Sequence, residues 1–123
     1  MDNKRRGMEF EREMCELLKE DGFWVHFISP DVSGAQPFDI IAVKDGYALA
    51  MDCKTCASHI FTSDRLEENQ KNAFDLWMQR GNPEPMIAVK HDGKLYLIGY
   101  KFLMMMGKVD LRTQKPWCER WSV

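Results

Sequence analysis

The sequence predicts one α/β domain in which a central, mixed β-sheet is flanked by helices. Three observations support this prediction: two helix-like segments, five short β-rich runs, and two Asp-Gly pairs, each of which connects two consecutive runs. In chain order the elements read αβββαββ. A chain of 123 residues has the length of a single domain, predicted over residues 1–123. It can bury a hydrophobic core without support from disulfides or metal ions.

Turn-forming residues set the limits of these elements. Asp21-Gly22 ends the first helix, Gly81-Asn82-Pro83 ends the second, and Asp-Gly between two β-rich runs favours a hairpin. Ser29–Pro37 holds two prolines and a glycine and is predicted as a loop, and residues 57–64 are predicted as irregular. Beyond Lys101 the pattern is ambiguous, with one or two helical turns expected. The predicted helices are Arg5–Glu20 and Arg65–Arg80, and the predicted strands are Phe23–Ile28, Phe38–Val43, Tyr47–Lys54, Met86–Lys90 and Leu95–Tyr100.

The composition is that of an ordinary globular protein, with 45% hydrophobic and 29% charged residues. No apolar run approaches the ~20 residues that a membrane-spanning helix needs, and the polar start does not resemble a signal peptide. We therefore expect a cytoplasmic protein without membrane contact. In that compartment the four cysteines are expected to remain reduced thiols.

The formal net charge of −2 does not favour nucleic-acid binding, because phosphate contacts usually require a surplus of basic residues. The basic residues are unevenly distributed, however, and a bound cation would offset a cluster of carboxylates. Lys4, Arg5 and Arg6 form a basic start to the chain, and basic residues outnumber acidic ones from Lys101 onward. If the partner is DNA, the start of the chain is the predicted contact with its phosphates.

Helical spacing places one glutamate of the first helix among apolar residues. At about 100° per residue, Glu11 shares a face with Met8, Cys15 and Leu18, whereas Glu13 is predicted on the solvated side. A carboxylate without a partner in apolar surroundings is costly. Glu11 therefore lies at the edge of the stripe, pairs with a basic residue, or belongs to a metal or catalytic cluster beneath the helix.

The predicted hairpin brings two aspartates together. A two-residue turn at Asp45-Gly46 gives a register that places Asp39 directly opposite Asp52. Like charges facing each other at about 5 Å repel, and both strands are otherwise apolar, so the pair favours a bound cation. Lys54 lies two residues beyond Asp52 and projects from the same face. The alternative is a slipped register in which one aspartate only caps a turn.

Oxygen ligands without an obligatory nitrogen or sulfur suit Mg²⁺ or Mn²⁺. Such a site fits the hydrolysis of a phosphodiester, for which the cation neutralises the phosphate and lowers the pKa of water. Lys54 would steady the attacking water or stabilise the negative charge that develops, and Glu11 would complete the coordination shell or hold a metal-bound water. The predicted metal ligands are therefore Asp39, Asp52 and Glu11.

Asp39, the hairpin and Asp52-Cys53-Lys54 together resemble the PD-(D/E)XK nuclease superfamily. Residues 7–13 resemble the opening of RecU-type and archaeal Holliday junction resolvases, and this alignment places Glu11 on the catalytic glutamate of the family. Gln70, after the Asp-x-Lys motif, is also similar and is predicted to contact substrate or the edge of the site. The resemblance covers about residues 7–100.

This resemblance implies a restriction-endonuclease-like core and a Mg²⁺-dependent endonuclease that cuts branched DNA such as Holliday junctions, in recombination or repair. It also implies a homodimer that cuts two strands. Two departures leave the preferred DNA structure open. Asp52 stands where Glu is more usual, and the loop Ser29–Pro37 is too short for the long insertion that RecU-type enzymes push into the junction.

Two alternatives to the nuclease site remain. Cys53 and Cys56 form a Cys-x-x-Cys that could bind zinc with His59 and Cys118, or act as a redox dithiol. If Lys54 faces the cutting site, Cys53 faces the opposite way, which favours simple burial. A non-catalytic nucleic-acid- or protein-binding module could also keep this fold. The enzyme is favoured because all four site positions carry competent residues.

Overall fold

The structure is a computed structural model that describes residues 3–28 and 36–117, with side chains from residue 6 onward. Two layers of helices enclose a central sheet. The elements are α1 (Asn3–Glu20), β1 (Trp24–Phe27), β2 (Ile40–Lys44), β3 (Tyr47–Thr55), β4 (Ile60–Thr62), α2 (Glu68–Gln79), β5 (Met86–His91), β6 (Lys94–Gly99), α3 (Tyr100–Met106) and β7 (Lys108–Asp110), with 3-10 turns at Ser63–Arg65 and Leu111–Thr113.

The main sheet has five strands in the order β1-β2-β3-β5-β6. All neighbouring strands are antiparallel except β3 and β5, which are parallel and joined through β4 and α2. The predicted mixed sheet with flanking helices is therefore confirmed. A second, two-stranded sheet of β4 and β7 was not predicted. Each of its strands has three residues, too few for an alternating pattern to be recognised.

Both predicted Asp-Gly hairpins are present, and their backbone explains the register. Asp45 and Gly46 have φ angles of 50° and 80°, and Asp92 and Gly93 have 51° and 73°. Two successive left-handed residues form the tight turn whose twist matches that of paired strands. As predicted, Lys44 pairs with Tyr47, and the register continues to the last pair before Asp39 and Asp52.

The core forms two layers, one on each face of the sheet. On one face α1 packs through the first layer of buried side chains: Phe10, Met14, Cys15, Leu17, Leu18, Ile40, Ala42, Leu49, Met51, Cys53, Ala88 and Leu95. On the other face α2, α3 and the small sheet enclose the second layer: Phe38, Ala50, Cys56, Phe61, Leu66, Phe74, Ile87, Val89, Tyr96, Ile98, Tyr100, Leu103, Val109 and Leu111.

The phase of α1 differs from the prediction by part of a turn. Phe10 is 1% exposed and lies at the centre of the buried face, whereas Met8 is 53% exposed. Burying the Phe10 ring removes more apolar surface than burying Met8 would, and this sets the rotation of the helix. The prediction that Glu13 is fully solvated was wrong, because it is half-buried and its carboxylate lies 3.0 Å from Lys90 Nζ. Glu11 consequently lies at the edge of the buried face.

The two cysteines of the Cys-x-x-Cys lie in different layers of the core. Cys53 belongs to the layer under α1 and Cys56 to the layer on the opposite face. This separation does not fit a shared zinc ion, and burial of Cys53 is confirmed. Cys118 lies outside the described residues. Within the described ranges, no helix combines the length and the apolar character needed to cross a bilayer.

Candidate active site

The site lies where β2 leaves its neighbour β3. The backbone departs from the regular ladder at Asp39, whose N–H donates to the Met51 carbonyl at 3.1 Å. The Asp39 carboxylate replaces a backbone carbonyl as the next acceptor along β3, because its Oδ2 accepts the Cys53 N–H at 2.8 Å. Asp39 is therefore fixed by the strand end, with its carboxylate beside that of Asp52.

Asp39 and Asp52 are both buried, and Asp52 is only 1% exposed. Burial is the largest cause that raises the pKa of Asp52 well above its ordinary value, followed by the charge of Asp39. The positive charge of Lys54 opposes the shift. The pair therefore holds more negative charge in a small, dry space than it favours without a cation.

Lys54 supplies only part of the compensating charge. Its Nζ lies 3.2 Å from Asp52 Oδ2, in an ion pair that does not have hydrogen-bond geometry. Asp52 Oδ2 is therefore a buried oxygen without a hydrogen-bond partner among the described residues. A divalent cation beside Asp39 and Asp52 would satisfy it, so these residues fit a metal site.

Gln70, on α2, connects the two charged residues of β3. Its Nε2 donates to Asp52 Oδ1 at 2.8 Å, and its Oε1 accepts from Lys54 Nζ at 3.4 Å. The same Oε1 accepts the Glu67 N–H at 3.0 Å and so completes a capping box at the start of α2. Gln70 is buried and hydrogen-bonded to Asp52, and its contact with substrate stays a prediction.

Glu11 lies near the aspartates but does not form one cluster with them. Burial raises its pKa from the ordinary 4.5 to about 7, with a further contribution from the charge of Asp39 and an opposing one from Lys54. Among the described residues, however, no three His, Cys, Asp or Glu side chains converge as metal ligands. The predicted three-carboxylate metal site is thus not formed; Asp39 and Asp52 meet, and Glu11 stands beside them.

A groove of about 610 Å³ begins immediately beyond Lys54. It is lined by the basic residues Arg6, Arg65 and Lys90, and by the acidic residues Glu9 and Asp92. Arg65 is held there by a hydrogen bond from its guanidinium to the carbonyl of Thr55 at 2.9 Å. Sequence reasoning missed this groove because it brings together three distant segments, and no local spacing signals that.

A mixed sheet with a buried aspartate pair and an Asp-x-Lys motif on its central strand defines a nuclease of the PD-(D/E)XK type. A model of the archaeal Holliday junction resolvase (Hjc) family matches residues 2–116 of this chain. The chain therefore belongs to that family, whose members are junction-cleaving nucleases. This membership confirms the predicted class and counts against a non-catalytic binding module.

Individual relatives agree with this assignment. The chain is 29% identical over 104 residues to a protein named crossover junction endodeoxyribonuclease Hjc from Methanocaldococcus jannaschii, covering 85% of this chain and 73% of that protein. The fold of this chain is similar to the 1.6 Å structure of Hjc, a Holliday junction resolvase, from Archaeoglobus fulgidus. That match has a TM-score of 0.61 and 21% identity, and covers 77% of this chain and 78% of the other.

The raised pKa of Glu11 predicts a measurable effect of pH on stability. Between pH 4.5 and about 7, Glu11 stays protonated in the folded protein but ionises in the unfolded chain, so the free energy of unfolding falls as pH rises. Glu11→Gln removes this loss. In metal-free buffer, its melting temperature relative to wild type should therefore rise between pH 5 and pH 8 by a few degrees, roughly the effect of 1 kcal/mol.

Glu16→Gln is the matched control, because Glu16 lies on the exposed side of the same helix. Its melting temperature should follow that of wild type at both pH values. Equal pH trends for the two variants would show that Glu11 is not placed as described.

Gln70 also generates a prediction, because one buried side chain serves both the site and the helix start. Gln70→Ala should lower the free energy of unfolding by about 1–3 kcal/mol, since it leaves Asp52 Oδ1 and the Glu67 N–H without their partner. Denaturant melts would measure this change. Gln79→Ala, an exposed glutamine at the other end of α2, is the control and should be nearly neutral. A neutral Gln70→Ala would contradict the described contacts.

Proposed function

We propose that this chain is a metal-dependent endonuclease that hydrolyses phosphodiester bonds in Holliday junctions, with Asp39, Asp52, Lys54 and Glu11 as its cutting site. The observation that carries the proposal is the buried pair of Asp39 and Asp52, in which Asp52 Oδ2 has only the ion pair with Lys54 and no hydrogen-bond partner among the described residues. Two carboxylates supply the hard oxygen ligands that Mg²⁺ prefers, and Mn²⁺ is expected to substitute for it.

Each residue has a distinct role in this proposal. A cation held by Asp39 and Asp52 would polarise the scissile phosphate and favour the ionisation of water. Lys54 can donate hydrogen bonds to a phosphate oxygen and stabilise the charge that develops there. Glu11 has a pKa near 7 and can accept a proton from the attacking water at neutral pH.

The groove beside Lys54 supports a path for the DNA backbone. Arg6 and Arg65 can contact phosphates on either side of the cut, although Glu9 and Asp92 reduce the positive charge of the groove. Lys4 and Arg5 precede Arg6 on α1, and their side chains lie outside the described residues. We further propose a homodimer, because a four-way junction presents two equivalent strands and a two-fold symmetric protein presents two equivalent sites.

Metal dependence is the direct test of the proposed chemistry. Labelled four-way junctions, flaps, nicked duplexes and single strands should be incubated with Mg²⁺, Mn²⁺ or a chelator. We expect junction cutting with either metal and none with the chelator. Asp39→Asn and Asp52→Asn should each reduce the cutting rate by at least roughly 1,000-fold while junction binding persists. Undiminished cutting in the chelator would exclude this mechanism.

Stability measurements separate a catalytic role for the aspartates from a structural one. Without metal, Asp52→Asn removes one of two repelling carboxylates and keeps an oxygen for Gln70, so its melting temperature should equal or exceed that of wild type. Asp45→Asn is the control, because it changes an exposed aspartate of the same hairpin at a left-handed position that asparagine tolerates. It should melt and cut like wild type.

The basic start of α1 is the proposed sequence-independent contact with DNA. Replacing Lys4, Arg5 and Arg6 with alanine should weaken binding to every DNA structure about equally, since phosphate contacts carry no sequence information. The slope of log affinity against log salt should become shallower by about 0.9 for each duplex phosphate that the variant no longer neutralises. Binding to the Asp52→Asn background at several salt concentrations, with Ca²⁺ present, would measure both effects.

The matched control removes three basic residues from the other end of the chain, Lys101, Lys108 and Lys115. Both triple variants change the net charge equally, so a larger effect at the start of α1 identifies a direct phosphate interaction rather than a general reduction of charge. The reverse result would assign the phosphate contacts to the tail.

A further inference from the structure

An exposed aromatic pair on β1 is not used by the proposed cutting mechanism. β1 is an edge strand of the main sheet, and it exposes Trp24 and His26. Trp24 is 62% exposed, which is unusual for so large an apolar side chain. The two rings are nearly parallel, with an interplanar angle of 7° and 6.1 Å between their centroids. Stacking on His26 therefore fixes the orientation of the exposed indole.

Strand alternation places this pair on the same face of the sheet as the aspartates. Val25 packs into the core layer under α1, so its neighbours Trp24 and His26 point to the opposite face. Asp52 and Lys54 also point to that face, since the intervening Cys53 lies in the layer under α1. The aromatic pair and the aspartates thus lie on the same face of the sheet.

The strand register gives the spacing between them. His26 pairs with Ile41 and Trp24 with Val43, while the Ile28 N–H donates to the Asp39 carbonyl at 2.8 Å. His26 is therefore a diagonal neighbour of Asp39, at about 7–8 Å. Trp24 lies two residues before His26 on the same strand, about 7 Å further from Asp39. A nucleotide next to a phosphate bound at Asp39 and Asp52 can span this distance.

We propose that Trp24, backed by His26, stacks on the uncovered face of a nucleobase beside the scissile phosphate and so favours branch points over continuous duplex. This inference rests on the proposed function, which places the phosphodiester at the aspartates. Aromatic side chains stack on nucleobases with little dependence on sequence. Inside a duplex both faces of a base are covered by its neighbours, whereas a branch point interrupts that stacking. Continuity of the aromatic pair with the cutting site favours DNA over another occupant.

The test compares the DNA affinity of variants at two exposed aromatic residues. Trp24→Ala should weaken binding to a four-way junction and to single-stranded DNA by roughly 10-fold, and leave binding to continuous duplex unchanged. Trp24→Phe should recover most of the affinity, because it restores an aromatic face. Tyr47→Ala is the matched control, since Tyr47 is 46% exposed but lies on the opposite face of the same sheet. It should bind all three substrates like wild type.

A second measurement reports the stacking itself. 2-Aminopurine placed beside the branch point should lose fluorescence when wild-type protein binds, and should keep it when Trp24→Ala binds at saturation. Affinity measurements use the Asp52→Asn background with Ca²⁺, so that binding is separated from cutting. Thermal melts of each variant confirm that these exposed substitutions leave the fold intact.

Three results would overturn the inference. Trp24→Ala could bind junction DNA with unchanged affinity, or it could weaken junction and duplex equally, or it could change the oligomeric state by sedimentation and so place β1 between two copies of the chain. Failure of the proposed function can be distinguished from failure of the stacking inference. If wild type does not cut junctions with Mg²⁺ but Trp24 still quenches 2-aminopurine, stacking stands without the nuclease; if wild type cuts junctions but Trp24→Ala binds them with unchanged affinity, only stacking fails.

Discussion

The contact between Asp39 and Asp52 is the constraint on which the rest of the site depends. Two carboxylates meet in a space that is closed to water on several sides, and neither can be fully compensated by the chain. Lys54 approaches one oxygen, Gln70 donates to another, and a backbone N–H serves Asp39. Each of these contacts lowers the cost of holding the charges together, but the oxygen that Lys54 approaches has no hydrogen bond among the described residues. The buried pair is therefore the position at which we propose that a cation binds.

The hairpin is the part of the site that the sequence predicts well, because its register follows from two residues. Asp45 and Gly46 both adopt left-handed backbone angles, and a two-residue turn leaves no freedom in how the strands pair. The pairing as far as Ile40 and Met51 follows directly from that turn, and it brings Asp39 beside Asp52. Strand alternation then predicts that Lys54 joins them and that Cys53 turns away. These features follow from local backbone geometry, which can be predicted from residues that are close in the sequence.

The remaining parts depend on packing between distant segments, which local patterns do not encode. The rotation of α1 is decided by how Phe10 fits the sheet, so Glu11 lies beside the aspartates rather than among them. Similarity to a nuclease family predicted that Gln70 lies near the site, but not that one oxygen would both cap α2 and accept from Lys54. The small β4–β7 sheet was missed because each strand has only three residues, too few for an alternating pattern to be recognised.

The distribution of charge explains how a chain with a formal charge of −2 can act on DNA. The overall field does not attract a polyanion, so association depends on contacts made within a few ångströms. Three kinds of contact are proposed: the groove beyond Lys54, the aspartate pair with a cation, and the aromatic pair on β1. In this proposal the first binds any phosphate backbone, the second requires a correctly placed phosphodiester, and the third requires an uncovered base. A protein without long-range attraction gains little from binding continuous duplex, because duplex satisfies only the first of these contacts. Low net charge is therefore consistent with structure-selective cutting, since it weakens the competing, unselective mode of binding.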